Sequence, residues 1–286
     1  MGFILPPSRI VVKEVEMKQF HFIRSVVLVL CLLLVPAGGC AQEAKEFYTP
    51  ASGQPGKDVV WVPTPQSLVD AMLDMAKVTP SDYVIDLGSG DGRLVIGAAK
   101  RGATALGIEY NPDMVELARR AAREEMVTKR ATFEKADIFE SDFSKATVLT
   151  LYLLPGLNLR LRPTILDMKP GTRIVSNSFG MADWQPDETR RVSEDGSSGQ
   201  LTAHLWIVPA KVDGIWQLAD GQISFIQSFQ NITGTLTTMG ENVELTGKLA
   251  GDRISFNAGG REYTGTVSGN TISGTHGGGG SWKAAR

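Results

Sequence analysis

The sequence predicts a doubly wound α/β domain with a mainly parallel sheet, followed by a small all-β module. Three observations carry this. Apolar strand-like runs alternate with helix-like stretches between Tyr83 and Pro209. A glycine-rich turn, "VIDLGSGDGR" (84–93), follows the first of those runs. From Lys211 onward Gly, Thr and Ser dominate and the helical periodicity stops. Alternating strand and helix is the signature of parallel βαβ units.

The elements follow in order. In "VVWVPTPQSLVDAMLDMAKV" (59–78), Thr64 is placed to cap a helix whose first turn holds Pro65, and Leu68, Met72, Met75 and Ala76 recur at helical spacing. Tyr83–Leu87 reads as a strand, Arg93–Arg101 as a helix, Ala105–Glu109 as a strand and Pro112–Glu125 as a long helix. Ala131–Glu134 and Ala146–Leu154 read as the next strands, Leu157–Met168 as a helix, and Arg173–Ser178 and Leu201–Pro209 as two further strands. The β module contains a repeat. Thr246–Ser255, "TGKLAGDRIS", matches Thr264–Ser273, "TGTVSGNTIS", with Gly-Asp and Gly-Asn hairpin pairs at the centres. Short antiparallel hairpins in a meander or barrel are expected, with Gly277–Gly280 as a flexible loop.

The chain of 286 residues divides into four expected parts: 1–41, 42–58, 59–210 and 211–286. Met17–Ala41 has a basic start (Lys18, Arg24), an apolar run Val26–Val35 and small residues, the layout of a secretory signal. The run is shorter than the roughly 20 apolar residues of a membrane span. Cys40 in "AGGCA" resembles an acylated lipoprotein cysteine; cleavage, acylation and an uncleaved anchor stay open. Residues 1–16 fit no signal pattern, so Met17 is a candidate start. An exported or envelope location follows, or an inward-facing anchored form. Glu43–Asp58 is polar and rich in Pro and Gly, and reads as a linker.

Composition excludes several classes. The net charge is -2 with no basic block, which argues against a nucleic-acid partner. Cys31 and Cys40 are the two cysteines, both in the N-terminal segment, so the body has neither disulfide nor thiol nucleophile. The three histidines are scattered and form no metal site; His204, between apolar neighbours, reads as a sheet-face residue.

Gly88, Gly90 and Gly92 lie beyond the first strand, where open parallel sheets bind ligands. No lysine follows, which excludes a P-loop. The third glycine is one residue early for a dinucleotide fingerprint, and Asp86 would repel a pyrophosphate. A carboxylate there suits a ligand with an ammonium, as in S-adenosylmethionine. Glu109 ends the second strand, where an acid holds ribose hydroxyls. Asp137, after the third strand, is placed to accept from an adenine amino group. Each acid alone could be a solvated loop residue or a helix cap, and for Asp137 alone the two readings weigh about evenly; three at successive strand ends form a constellation.

These residues resemble the class I S-adenosylmethionine-dependent methyltransferases: "DLGSGDGR" (86–93), "GIEYNP" (107–112) and "ADIF" (136–139) match their motifs. The resemblance covers about Val59–Pro209. It is strongest to the branch with the mitochondrial protein-lysine methyltransferases of the adenine nucleotide translocase and of the ATP synthase c-subunit, through "VPTP" (62–65) and Trp184 in "DWQP" (183–186). It implies a seven-stranded Rossmann-like sheet and S-adenosylmethionine bound by Thr64, Asp86, Gly88, Ser89, Gly90, Gly92, Glu109, Asn111, Asp137 and Ile138. It also implies a protein lysine acceptor, with a membrane protein among the candidate partners. Tyr152 and Asn177, with Ser178 and Phe179, are acceptor-site candidates. Trp184 is expected to pack near the site. The segment after the fourth strand lacks the Asn/Asp-Pro-Pro-aromatic motif of amide and adenine methyltransferases. The alternatives are a small-molecule methyltransferase and a non-catalytic exported binding protein.

Overall fold

Seven strands form one sheet in the order β3-β2-β1-β4-β5-β7-β6. The parallel members are β1 (Tyr83–Leu87), β2 (Thr104–Glu109), β3 (Ala131–Lys135), β4 (Val148–Leu151) and β5 (Arg173–Asn177). β7 (Gln200–Ile207) runs antiparallel to β5 and to β6 (Glu188–Ser193). The computed structural model describes Gly2 and residues 48–193 and 200–286. The signal, anchor and Cys40 readings, and the start of the stretch read as a linker, lie outside the described residues. Among the described residues no helix is long and apolar enough to cross a membrane.

β6 has no counterpart in the apolar pattern. It is an edge strand, "ETRRVS", with four exposed positions and two half-buried ones. Charged edge strands resist pairing with other chains, which explains why this one carries no hydrophobic alternation.

Alternation along the inner strands sends side chains to two cores. Val84 joins the core formed with helices α1 (Gln66–Met75), α2 (Arg93–Lys100) and α3 (Pro112–Glu124). Ile85 and Leu87 join the opposite core, with α4 (Pro155–Leu166), Trp184 and Trp206. By the same period of two, Asp86 falls on the Val84 side. The α1 stripe packs as expected, with Leu68 and Met72 fully buried. The expected cap does not form: the N-cap position is Pro65, without a side-chain cap bond, and Thr64 Oγ1 instead accepts from Asn177 Nδ2 at 3.2 Å.

The C-terminal region is larger than a set of loose hairpins. Strands β8 (Gly214–Leu218), β9 (Gly221–Ser228), β10 (Asn231–Thr238), β11 (Glu241–Ala250), β12 (Arg253–Ala258), β13 (Arg261–Ser268), β14 (Thr271–His276) and β15 (Gly280–Ala285) form a closed antiparallel barrel, completed by β15 against β8. Eight strands enclose a space that side chains can fill. Trp216, Phe225, Leu245, Ile254 and Ile272 are among those that fill it. The internal repeat maps onto the β11–β12 and β13–β14 hairpins, with Gly251 (φ 67°) and Gly269 (φ 55°) opening the turns. Gly277–Gly280, expected as a loop, makes the tight β14–β15 turn and the first residue of β15.

The barrel packs directly on the sheet domain. Phe229 stacks on Trp184 with ring centroids 5.8 Å apart, and the Arg162 guanidinium lies 5.3 Å from the centre of the Phe229 ring. Gln230 Nε2 donates to Gln185 O, and Ala210 N to Gly251 O, both at 2.8 Å. A Cβ on Gly251 would stand 2.9 Å from the Gly171 Cα, so the two backbones meet there without side chains between them.

Candidate active site

The sheet order reverses between β1 and β4, and a cavity of about 250 Å³ opens beyond the carboxyl ends of these strands. Its floor is Asp86, Gly88–Asp91, Glu109–Asn111, Ala136–Ile138 and Tyr152–Leu154, with Phe179 at one side. Its roof is the unbroken stretch Gln54–Thr64. Part of that roof reads as a linker in the sequence. It folds back because Gly53 N donates to Trp61 O and Trp61 N to Gln54 O (2.8 and 2.9 Å), and the Trp61 ring then covers the glycine loop. A Cβ on Gly90 would be 2.7 Å from Trp61 Nε1.

Asp86 ends up 3% exposed, with Thr150 Oγ1 donating to its Oδ1 at 2.6 Å. Burial pushes its carboxyl up to about 7; the nearby Glu109 and Asp91 carboxylates push the same way, and the Thr150 bond opposes them. The floor therefore holds an acid that is costly to ionise without a cation. Glu109 accepts from Gly90 N through Oε2 and from Asn111 N through Oε1, both at 2.9 Å. It ties the glycine loop to the start of α3, where Asn111 Oδ1 caps Asp113 N at 2.9 Å. Asp137 Oδ1 accepts from Phe139 N at 2.9 Å, and its Oδ2 is paired with Lys57 of the roof. The Ser89 hydroxyl is buried with no hydrogen-bond partner.

Of the residues expected at the site, Thr64, Asp86, Gly88, Ser89, Gly90, Glu109, Asn111, Asp137, Ile138 and Tyr152 all line the cavity. Two do not. Gly92 (φ 82°) starts α2, and a Cβ there would stand 2.6 Å from the Phe133 ring and 2.8 Å from Ala118; its smallness serves helix packing. Asn177 is 2% exposed beneath the site, where it holds Thr64 and accepts from Ser178 Oγ at 2.7 Å. Tyr152 stacks with Phe179, ring centroids 6.2 Å apart, and both face the cavity. Trp184 is fully buried outside the lining, at the barrel contact. His204 is on the sheet as expected, half-buried beside Trp206, with burial lowering its pKa.

Sequence reasoning missed Lys57, Trp61, Asp91 and Arg93 as lining residues. Arg93 closes the "DLGSGDGR" motif: it forks onto Asp91 and also donates to Thr64 O, fixing the roof's inner end. The motif ending in Arg was a usable signal. Among the described residues no cluster of His, Cys, Asp and Glu is arranged to hold a metal.

A sheet ordered 3-2-1-4-5-7-6, with acids at the ends of β1 and β2 and after β3 around one cavity, defines a class I S-adenosylmethionine-dependent methyltransferase. Comparison with known proteins narrows this. The profile described as the ANTKMT methyltransferase domain matches residues 86–188. A protein-lysine N-methyltransferase of Saccharolobus islandicus (strain REY15A) is 42% identical over 153 residues, 52% of this chain and 94% of its own length. The human lysine N-methyltransferase of the ATP synthase C-subunit is 32% identical over 145 residues, 50% of this chain and 61% of its own. A solved structure of an RNA methyltransferase from Salinibacter ruber, in complex with S-adenosyl-L-homocysteine, is 46% identical, with a TM-score of 0.49 over 53% of this chain and 96% of its own. The chain belongs to the ANTKMT methyltransferase family, and its cofactor is S-adenosylmethionine.

The cavity residues fit that cofactor on their own chemistry. Gly88 (φ 80°) is exposed at the cavity floor, where the missing side chain leaves its backbone open to a close approach, while Gly90 (φ 53°) is buried beneath Trp61. Ser89 holds an unpartnered hydroxyl at the loop, and a buried acid lies below it.

Proposed function

We propose that this enzyme methylates the side-chain amine of a protein lysine, with Asp86 facing the cofactor ammonium, Glu109 the ribose and Asp137 the adenine. The observation that carries the acceptor is the match to the Saccharolobus islandicus protein-lysine N-methyltransferase across 94% of that protein. The cofactor supplies an electrophilic methyl group on a sulfonium. The chain supplies orientation, the larger part of catalysis in an in-line transfer between positioned partners. The Tyr152–Phe179 pair forms an aromatic wall for the acceptor side chain. No histidine lines the cavity. The lysine must lose its proton before its nitrogen can attack.

The rim supports an apolar acceptor surface. Val60 (52% exposed), Val62 and Leu154 surround the cavity with uncovered aliphatic groups. A lysine next to a membrane-embedded segment matches this rim, and the N-terminal segment Met17–Ala41 would bring the enzyme to that membrane.

Incubation with radiolabelled cofactor and a membrane extract tests the acceptor. The expected result is a labelled membrane protein whose hydrolysate contains methyl-lysine. Label confined to small molecules would replace this reading with small-molecule methylation.

The acid at the floor adds a pH dependence. Binding a cation beside Asp86 requires the ionised carboxylate, and burial raises its pKa to about 7. Cofactor affinity is expected to climb roughly tenfold per pH unit between about 5 and 7, then level off. Titration calorimetry across this range checks it, and Asp86→Asn should show a flat profile.

A further inference from the structure

The roof crosses the cavity as a strap whose tip is held by the packing of half-buried Val59 on the Ile85–Leu87 core and by one ion pair. Lys57 Nζ pairs with Asp137 Oδ2 on the opposite wall and lies 4.8 Å from the centre of the Tyr110 ring. Asp58 is also within 3.7 Å. The other fastenings hold the strap at its ends. Gly53 and Gln54 each make one backbone bond to Trp61 and so close its base, Gln54 also binds Tyr48, and Arg93 holds Thr64. Between them, residues 55–60 have no regular secondary structure. Gly56 allows the bend, since a Cβ there would meet Val59 O at 2.3 Å.

We infer that Lys57 is a competing latch on the adenosine end of the cavity: its ammonium holds the carboxylate that must be released to receive the adenine amino group. This rests on the assignment of Asp137 to adenine made above. The competition is unequal in kind. An ammonium on a carboxylate is a charged donor on a charged acceptor, whereas the adenine amino group is a neutral donor. The side chains of Lys57 and Asp137 are 35% and 16% exposed, so water and salt screen the pair and its hold is modest. It slows and weakens capture without blocking it. The pairing holds Asp137 below and Lys57 above their ordinary pKa ranges, so both stay charged near neutrality.

The test compares the full wild-type chain with Lys57→Met, which keeps the stem and removes the charge. S-adenosyl-L-homocysteine is the probe, by calorimetry and stopped-flow. Lys57→Met is expected to bind roughly two- to fivefold tighter with a faster association rate. That gap should shrink as salt rises from about 0.05 M to about 0.5 M, because salt weakens the wild-type latch. Hydrogen exchange of residues 55–60 in the unliganded variant should quicken. Weaker binding would make Lys57 a ligand contact and overturn the latch, as would equal affinity with unchanged exchange. If neither protein binds the probe, the cofactor assignment itself fails. Wild-type binding without a variant effect sinks the latch alone.

Discussion

Asp86→Asn is expected to raise the stability of the unliganded protein while removing most of its cofactor affinity. Both effects come from burial. Above pH about 7 the folded chain carries an ionised, desolvated carboxylate that the unfolded chain keeps in water. Its folded pKa is raised, so its contribution to stability is fully present below the unfolded value near 4 and is lost as pH rises to about 7. The penalty above that range is on the order of a few kcal/mol. Asparagine removes the charge and keeps an acceptor for Thr150 Oγ1. At pH 8 the unliganded Tm should rise by roughly 5 °C. Affinity for S-adenosylmethionine should fall by about 30-fold or more, the loss typical when one partner of a buried charge pair is removed. Thermal melts with and without cofactor read both quantities. A variant that melts lower and binds normally would remove Asp86 from the site.

Trp184→Ala is expected to have the largest effect on stability with little effect on binding. Trp184 is fully buried, stacks on Phe229 of the barrel side and lies 6.2 Å from Trp206, whose Nε1 donates to its carbonyl at 2.8 Å. Truncating a buried tryptophan costs about 3–5 kcal/mol. For a domain this size that lowers the Tm by roughly 10 °C. Trp184→Phe keeps the stack and removes an indole N–H that has no partner, so it should cost far less. Because Trp184 lies outside the cavity, both variants should bind the cofactor within about threefold of wild type under conditions where they stay folded. A large loss of binding in folded Trp184→Phe would place the residue in the site after all.

The acids were legible because each one terminates or follows a strand. Strand ends are marked by local apolar pattern, and an open parallel sheet puts its ligands at those ends. The seventh strand was not legible from pattern, since an exposed charged edge has no reason to alternate. Thr64 and Asn177 were both singled out, for different jobs. Only the fold shows that they bind each other, with one in the cavity wall and the other beneath it. Gly92 stands in the motif with the loop glycines but serves α2 packing against Phe133. A glycine in a pattern does not say which neighbour needs the space.

Sequence by itself determined the strand–helix alternation, the three acids, the methyltransferase family they resemble and the paired hairpins of the C-terminal region. These are properties of short windows, set by side-chain periodicity, turn chemistry and the spacing of a motif. Tertiary structure decided the rest: that eight strands close into one filled barrel, that Trp184 joins it to the sheet, and that a Pro- and Gly-rich stretch roofs the cavity. Each depends on residues far apart in the chain meeting. Trp61 finds Gly90, Lys57 finds Asp137, and Phe229 finds Trp184 only after the sheet has set the distances between them.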